Sequence, residues 1–168
     1  MGRMRKMKLR KLPVWAVAVT LCAVALSRAV EQKVEHPVTA AVVERVIDGD
    51  TVVLVGGEKV RYIGVDTPEL QHHPRKKVQP YAKEATEFNR RLVEGQKVRL
   101  EMDVERQDKY TRTLAYVFLE DGRFVNAELL KEGYAHLMTI PPNVRYVDLF
   151  TGLQRQARDA KRGLWGKK

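Results

Sequence analysis

The fold is decided by residues 39–69, which read TAAVVERVIDGDTVVLVGGEKVRYIGVDTPE. Short runs rich in β-branched residues alternate here with an Asp-Gly-Asp turn at 48–50 and a Gly-Gly turn at 56–57. Runs of this kind, separated by two or three turn residues, are typical of consecutive β-hairpins. The stretch therefore predicts a three-stranded meander, with strands at 39–47, 51–55 and 59–65.

The rest of the chain predicts two more strands and about three helices. Apolar residues recur with helical spacing after Pro80, and Gly95 ends that pattern. The further elements are predicted at 97–104 and 113–119 (strands), and at 126–131 and from 145 or 146 to about 160 (helices). Five short strands with a helix between the third and fourth favour a β-barrel with helices, a closed Greek-key barrel of the OB type.

The composition excludes several classes of protein. The chain has 168 residues, of which 44% are apolar and 31% are charged. These fractions exclude a multi-pass membrane protein and an intrinsically disordered chain. One cysteine excludes an internal disulfide framework and a multi-cysteine zinc site.

The net charge of +10 belongs mostly to the N-terminus. Residues 1–29 hold seven of the 31 basic residues and no acidic residue, which leaves 24 basic and 21 acidic residues in 30–168. The balance of +3 in that remainder does not by itself indicate nucleic-acid binding.

The N-terminal segment has the pattern of a secretory signal. Basic residues precede an apolar run at 12–26, and Ser27 and Ala29 offer small residues for cleavage after Ala29. The run is shorter than the ~20 residues of a spanning helix. Arg28 disturbs the cleavage site, however, so an uncleaved membrane tether through 12–26 is the alternative.

This pattern gives the expected domain organisation. Residues 1–29 are a signal peptide or N-terminal membrane anchor, 30–38 are a linker, and 39–168 are one folded domain. We expect a secreted or extracytoplasmic protein, or a membrane-anchored one if the segment is retained.

Two acidic residues mark a candidate metal site. Asp50 ends one predicted hairpin and Asp66 follows the next strand, so the meander can bring them close together. Thr67 precedes Pro68, which favours an extended backbone that can turn the Thr67 carbonyl to the same space. Carboxylate and carbonyl oxygens are hard ligands that suit Ca²⁺. Glu69 lies three residues past Asp66 and could orient a water molecule there.

Two arginines complete the candidate site. Arg61 lies on the strand that leads to Asp66, and Arg112 lies at the start of the fifth strand. Two guanidinium groups near a metal ion are suited to a phosphodiester, because they bind its oxygens in pairs and offset the charge of the transition state.

Three motifs occur together in the chain: DGDT at 48–51, RYIGVDTPE at 61–69 and DKYTR at 108–112. Each alone has an ordinary explanation as a turn or a solvated loop. In order and spacing, from about residue 42 to residue 165, they resemble the staphylococcal (micrococcal) nuclease family. The resemblance implies an OB-fold endonuclease that needs Ca²⁺, hydrolyses DNA and RNA and leaves 3′-phosphates. It also implies that Asp50, Asp66 and the Thr67 carbonyl bind the ion.

The same resemblance assigns the remaining roles. The residue matching Glu69 is the proposed general base, and those matching Arg61 and Arg112 bind the phosphate and stabilise the transition state. Lys109 and Tyr110 match residues beside the terminal phosphate of the nucleotide.

The chain departs from the family at the base-binding positions. Met138 and Ile140 stand where the prototype has tyrosines, which removes aromatic stacking worth roughly 1–3 kcal/mol per base. The acidic and arginine residues are all intact, which favours an active enzyme. We expect it to act on DNA and RNA and to be a monomer. The alternative is a non-catalytic OB module that binds nucleic acid or protein at the cell envelope.

Overall fold

A closed barrel forms the body of the domain. The computed structural model describes residues 37–70 and 78–166. Within them the strands are β1 (Val38–Asp48), β2 (Thr51–Leu54), β3 (Lys59–Tyr62), β4 (Val65–Asp66), β5 (Lys97–Glu101), β6 (Thr113–Leu119) and β7 (His136–Leu137). Five of these strands close in the order β1-β2-β3-β6-β5, with β3 parallel to β6, and this confirms the predicted OB-type barrel.

Three helices of the described residues pack on this barrel, as the sequence predicts. They are α1 (Ala82–Val93), α2 (Val125–Lys131) and α3 (Val147–Asp159), and a 3₁₀ turn follows at Gly163–Trp165. The predicted inner face of α1 includes Ala85 and Asn89, both of which are buried. Gly95, at φ 75°, ends the turn after α1, and its N–H donates to the carbonyl of Val43 in β1 at 2.9 Å.

The core lies inside the barrel and under the helices. Every residue of β2 is buried, because one face points into the barrel and the other is covered. Phe150 of α3 and Leu129 of α2 belong to this core, and the Phe150 ring packs against the ring of Tyr116. This packing fixes the strand ends from which the functional residues project.

The third predicted strand is shorter than expected. It ends at Tyr62, and β4 leaves the barrel to pair with β7 in a separate two-stranded sheet. The break falls at Gly64, which has φ 80°. A Cβ atom there would lie 2.5 Å from Cε2 of Phe150, so only glycine fits between the strand and the core.

The predicted signal or anchor at 1–29 lies outside the described residues, as does most of the predicted linker. β1 begins at Val38, the last residue of that linker. Across 37–70 and 78–166, none of the helices is both long and apolar enough to cross a membrane.

Candidate active site

The residues singled out from the sequence all line one cavity of about 450 Å³. It lies beside the turn between β1 and β2. The structure brings together there all eight residues that the sequence predicts for the site. They are Asp50, Arg61, Asp66, Thr67, Glu69, Lys109, Tyr110 and Arg112. They come from two parts of the chain. We call Asp50, Arg61, Asp66 and Thr67 the barrel wall, and residues 105–112 the loop wall.

Asp50 is the buried carboxylate of the barrel wall, with 4% of its surface exposed. Its Oδ2 accepts hydrogen bonds from the Thr67 N–H at 2.7 Å and the Thr67 hydroxyl at 2.9 Å. Burial raises its pKa to about 6; Arg61 opposes this shift, and the Asp48 carboxylate adds to it. The site thus holds a carboxylate whose charged form a cation would stabilise.

Arg61 is the central cation of the barrel wall, and only 7% of its surface is exposed. Its Nη1 donates to the carbonyls of Tyr62 at 2.9 Å and Val65 at 2.7 Å. Its Nε lies 3.2 Å from Asp50 Oδ1, and its Nη2 lies 3.0 Å from Asp66 Oδ1. The guanidinium is therefore fixed between the two carboxylates that the sequence predicts as metal ligands.

Asp66 and Thr67 are placed by different contacts. The Asp66 side chain is 53% exposed, and Asp66 lies opposite His136 of β7 in the two-stranded sheet. Thr67 is buried against the β1–β2 turn, where a Cβ on Gly49 would lie 2.6 Å from the Thr67 hydroxyl oxygen. The glycine of the DGDT motif thus permits the close approach that joins Asp50 to Thr67.

Glu69 lies at the exposed edge of the cavity. Its N–H donates to Oε1 of Gln79 at 3.1 Å, and its carbonyl accepts from the Gln79 N–H at 3.2 Å. These two bonds join Glu69 to Gln79 and fix the backbone that carries the carboxylate.

Arg112 is held within the loop wall by Asp108. The Arg112 Nε and Nη2 each lie 2.7 Å from Asp108 Oδ2. Oδ1 of Asp108 accepts from the N–H groups of Tyr110 at 2.8 Å and Arg112 at 3.0 Å. Burial acts to raise the Asp108 pKa, but these hydrogen bonds outweigh it and keep the pKa below its usual value. Asp108 is thus a charged centre that organises the whole motif.

Tyr110 projects from the loop wall with 65% of its surface exposed. Nζ of Lys109 lies 5.1 Å from the centroid of its ring, and Cζ of Arg112 lies 5.5 Å from it. Cations near the face of an aromatic ring are attracted to it. The phenol and both positive charges are therefore presented together to the cavity.

Four further charged or amide residues line the cavity without having been assigned a role from the sequence. They are Asp48, Glu105, Asp108 and Asn143. Asp48 belongs to the DGDT motif, so the motif itself was a signal for it. Asn143 is separated from the loop wall by more than 30 residues, and no local pattern marks it. Met138 and Ile140 give that side of the cavity an aliphatic lining.

The oxygen atoms of this site fit a hard metal ion. Within 37–70 and 78–166, no group of three or more His, Cys, Asp or Glu side chains is placed to hold a metal ion. Two carboxylates, Asp50 and Asp66, lie on either side of the Arg61 guanidinium. Such a small oxygen set suits an ion that keeps several waters or binds substrate oxygens, as Ca²⁺ and Mg²⁺ do.

A closed OB-type barrel with carboxylates and two guanidinium groups around one cavity is suited to binding and cleaving a phosphodiester. The sequence matches the family described as staphylococcal nuclease homologue over residues 59–167. A thermonuclease of Staphylococcus intermedius is 47% identical over 126 residues, which are 73% of this chain and 74% of that protein. A thermonuclease of Staphylococcus hyicus is 46% identical over 124 residues, 72% of each chain. Endonuclease YncB of Bacillus subtilis (strain 168) is 44% identical over 129 residues, 74% of this chain and 60% of that protein.

These similarities decide between the enzyme and the binding module. The chain belongs to the staphylococcal nuclease family, and it is a nuclease, a hydrolase of phosphodiester bonds. The resemblance inferred from the three motifs is thereby confirmed.

Proposed function

We propose that this nuclease is a Ca²⁺-dependent endonuclease that hydrolyses both DNA and RNA and leaves 3′-phosphates. The observation that carries the proposal is the gathering of all eight predicted residues around one cavity. We further propose that it acts as a monomer and is exported through its N-terminal segment.

In this proposal the two guanidinium groups bind the scissile phosphate. Arg61 comes from the barrel wall and Arg112 from the loop wall, and both line the cavity. Paired N–H donors offset the charge that develops on the phosphate oxygens in the transition state. Each group is oriented by an aspartate, Arg61 by Asp50 and Arg112 by Asp108.

Glu69 is the proposed general base. It lies on the exposed side of the cavity, where water reaches it, and its backbone is fixed by Gln79. Its carboxylate accepts the proton of the attacking water, which makes that water a stronger nucleophile.

Asp50, Asp66 and the Thr67 carbonyl would hold the Ca²⁺ ion. When bound, the ion would supply positive charge that neutralises the phosphate and polarises water. The oxygen-only donor set supports this assignment. Lys109 and Tyr110 would contact a further phosphate of the substrate.

The direct test is the Glu69→Gln variant, assayed on plasmid DNA and on RNA with Ca²⁺, with Mg²⁺ and with chelator. We expect Ca²⁺-dependent cutting by the wild type and a loss of turnover of at least about 10²-fold in the variant, because the base is removed. Glu120→Gln, at an exposed glutamate outside the cavity, is the matched control and should cut normally. Undiminished turnover by Glu69→Gln would refute the base assignment, and cutting in chelator would refute the metal dependence.

A further inference from the structure

The cavity is bounded on one side by two segments that are distant in the chain. The loop wall carries Lys109, Tyr110 and Arg112. The segment 138–143 carries Met138 and Ile140, which provide the aliphatic lining. The width of the cavity between them depends on whatever fixes the two segments to each other.

Asn143 makes that connection. Its Oδ1 accepts a hydrogen bond from the N–H of Glu105, and its Nδ2 donates to the carbonyl of Glu105, each at 2.8 Å. Asn143 is only 5% exposed, whereas Glu105 is an exposed residue, so the two bonds are partly buried, and both residues line the cavity. A side-chain amide that matches both backbone groups of one residue fixes position and orientation at once.

Further contacts, away from the cavity, join residues just before the loop wall to residues just after the segment 138–143. The Arg145 guanidinium donates to Oε2 of Glu101 at 3.2 Å and to the carbonyl of Met102 at 2.9 Å. The Tyr146 hydroxyl donates to Oε2 of Glu101 at 3.0 Å. Neither Arg145 nor Tyr146 lines the cavity. Among these contacts, the pair of bonds between Asn143 and Glu105 is therefore the one that borders the cavity.

The reactive part of the site does not depend on this contact. Arg112 is oriented by Asp108, and the loop returns to β6 through the bond from the Leu114 N–H to the Arg106 carbonyl at 2.8 Å. Arg61 is fixed within the barrel wall. The lining at Met138 and Ile140 is aliphatic and therefore suits the base or sugar of a nucleotide rather than a phosphate. Loss of Asn143 should loosen this part of the cavity while leaving both phosphate-binding arginines in place.

We propose that Asn143 is a positioning residue that sets the spacing between the loop wall and the segment 138–143, and so determines affinity for the nucleoside part of the substrate. The inference rests on the proposed assignment of the substrate-binding residues. It gives Asn143 a role in KM and none in the chemical step.

The test compares two substrates with the Asn143→Ala variant. One is a single-stranded oligonucleotide, which has a nucleoside to fill the space, and the other is bis(p-nitrophenyl) phosphate, a diester without a sugar. We expect KM for the oligonucleotide to rise by about tenfold, because two partly buried hydrogen bonds that fix the spacing are lost. For the aryl diester, KM should stay within about twofold and kcat should change only with the folded fraction. KM itself does not depend on how much of the sample is folded.

Tyr146→Phe is the matched control, because it removes the hydrogen bond from the Tyr146 hydroxyl to Glu101, which lies away from the cavity. It should lower stability without changing either KM. Asn143→Asp gives a second measurement if the alanine variant does not fold. It keeps the size and an acceptor for the Glu105 N–H but cannot donate to the Glu105 carbonyl, so KM for the oligonucleotide should again rise.

The outcomes separate the two proposals. An unchanged KM for the oligonucleotide in either folded Asn143 variant would overturn the positioning role. Equal rises in KM for both substrates would overturn it as well. In both cases the nuclease assignment would stand. A wild-type protein that cleaves neither substrate would overturn the proposed function, and the inference with it.

Discussion

The barrel wall and the loop wall present the same kind of group to one cavity, yet they are supported in opposite ways. Arg61 is 7% exposed and is fixed by the carbonyls and carboxylates of the strand ends around it. The Arg112 side chain is 27% exposed and takes its orientation from Asp108, four residues away in the same loop. One arginine depends on the barrel, and the other depends on its own segment.

This difference separates stability from activity. A buried ion pair that loses one partner leaves an uncompensated charge in the interior. In a partly exposed pair, water solvates the remaining charge at little cost in free energy. Substitutions in the barrel wall should therefore damage the fold and the reaction together. Substitutions in the loop wall should damage the reaction with little effect on the fold.

The largest effect is expected for Arg61→Lys. A lysine cannot make the four contacts of the guanidinium, so the charges of Asp50 and Asp66 are left poorly paired. We expect turnover to fall by about 10³-fold. The free energy of unfolding should fall by about 3 kcal/mol. Turnover on DNA and urea denaturation measure the two effects.

Arg112→Lys tests the other side of the comparison. Turnover should fall by about 10²- to 10³-fold, because the paired donors to the phosphate are lost. The free energy of unfolding should change by less than about 1 kcal/mol, because the pair with Asp108 is partly exposed. A loss of stability as large as that of Arg61→Lys would show that the two walls are not supported differently.

A smaller effect is expected for Asp108→Asn. The amide can still accept the backbone bonds of Tyr110 and Arg112, but it cannot pair with the guanidinium charge. We expect kcat/KM to fall by about tenfold, because a charge-assisted hydrogen bond that orients Arg112 is weakened. The measurement is initial-rate kinetics on an oligonucleotide at neutral pH.

Asp121→Asn is the control for that variant, because Asp121 binds the N–H and Nε of Arg123 in a similar local pattern outside the cavity. It should cut normally. Equal losses in both variants would mean that the Asp108 effect does not come from orienting Arg112.

The smallest effect is expected for Lys109→Ala, at the exposed tip of the loop wall. KM should rise a few-fold, and the slope of log KM against log salt should decrease by about 0.7, the value for one phosphate contact on a single strand. Lys97→Ala, at an exposed lysine of β5 outside the cavity, should change neither quantity. An unchanged salt slope in Lys109→Ala would remove Lys109 from the substrate contacts.

The sequence predicted those elements of the structure that are determined by residues close together in the chain. The β-branched runs in 39–55, the turn at Gly56 and Gly57, and the helical spacing before Gly95 each follow from neighbouring residues, and each led to the correct element. The three motifs led to residues that share one cavity, because each motif lies at a strand end or in a loop beside one.

The parts it did not predict depend on contacts between distant residues. The break at Gly64 is set by the ring of Phe150, which no pattern around residue 64 shows. The strands β4 and β7 have two residues each, too few for any periodicity. Asp108 was recognised as part of a motif, but its place at the centre of four bonds appears only in three dimensions. Asn143 and Glu105 become neighbours only through the fold.

The pairing of β4 with β7 extends the framework of the site to the far end of the described chain. Asp66 lies opposite His136, and the His136 ring packs edge-on against Trp165 at 4.9 Å between centroids. The Leu164 N–H donates to the Gly133 carbonyl at 2.9 Å, which ties the 3₁₀ turn to the residues just before β7. The strand that carries Asp66 is therefore supported by a turn that itself has no residue in the lining of the cavity.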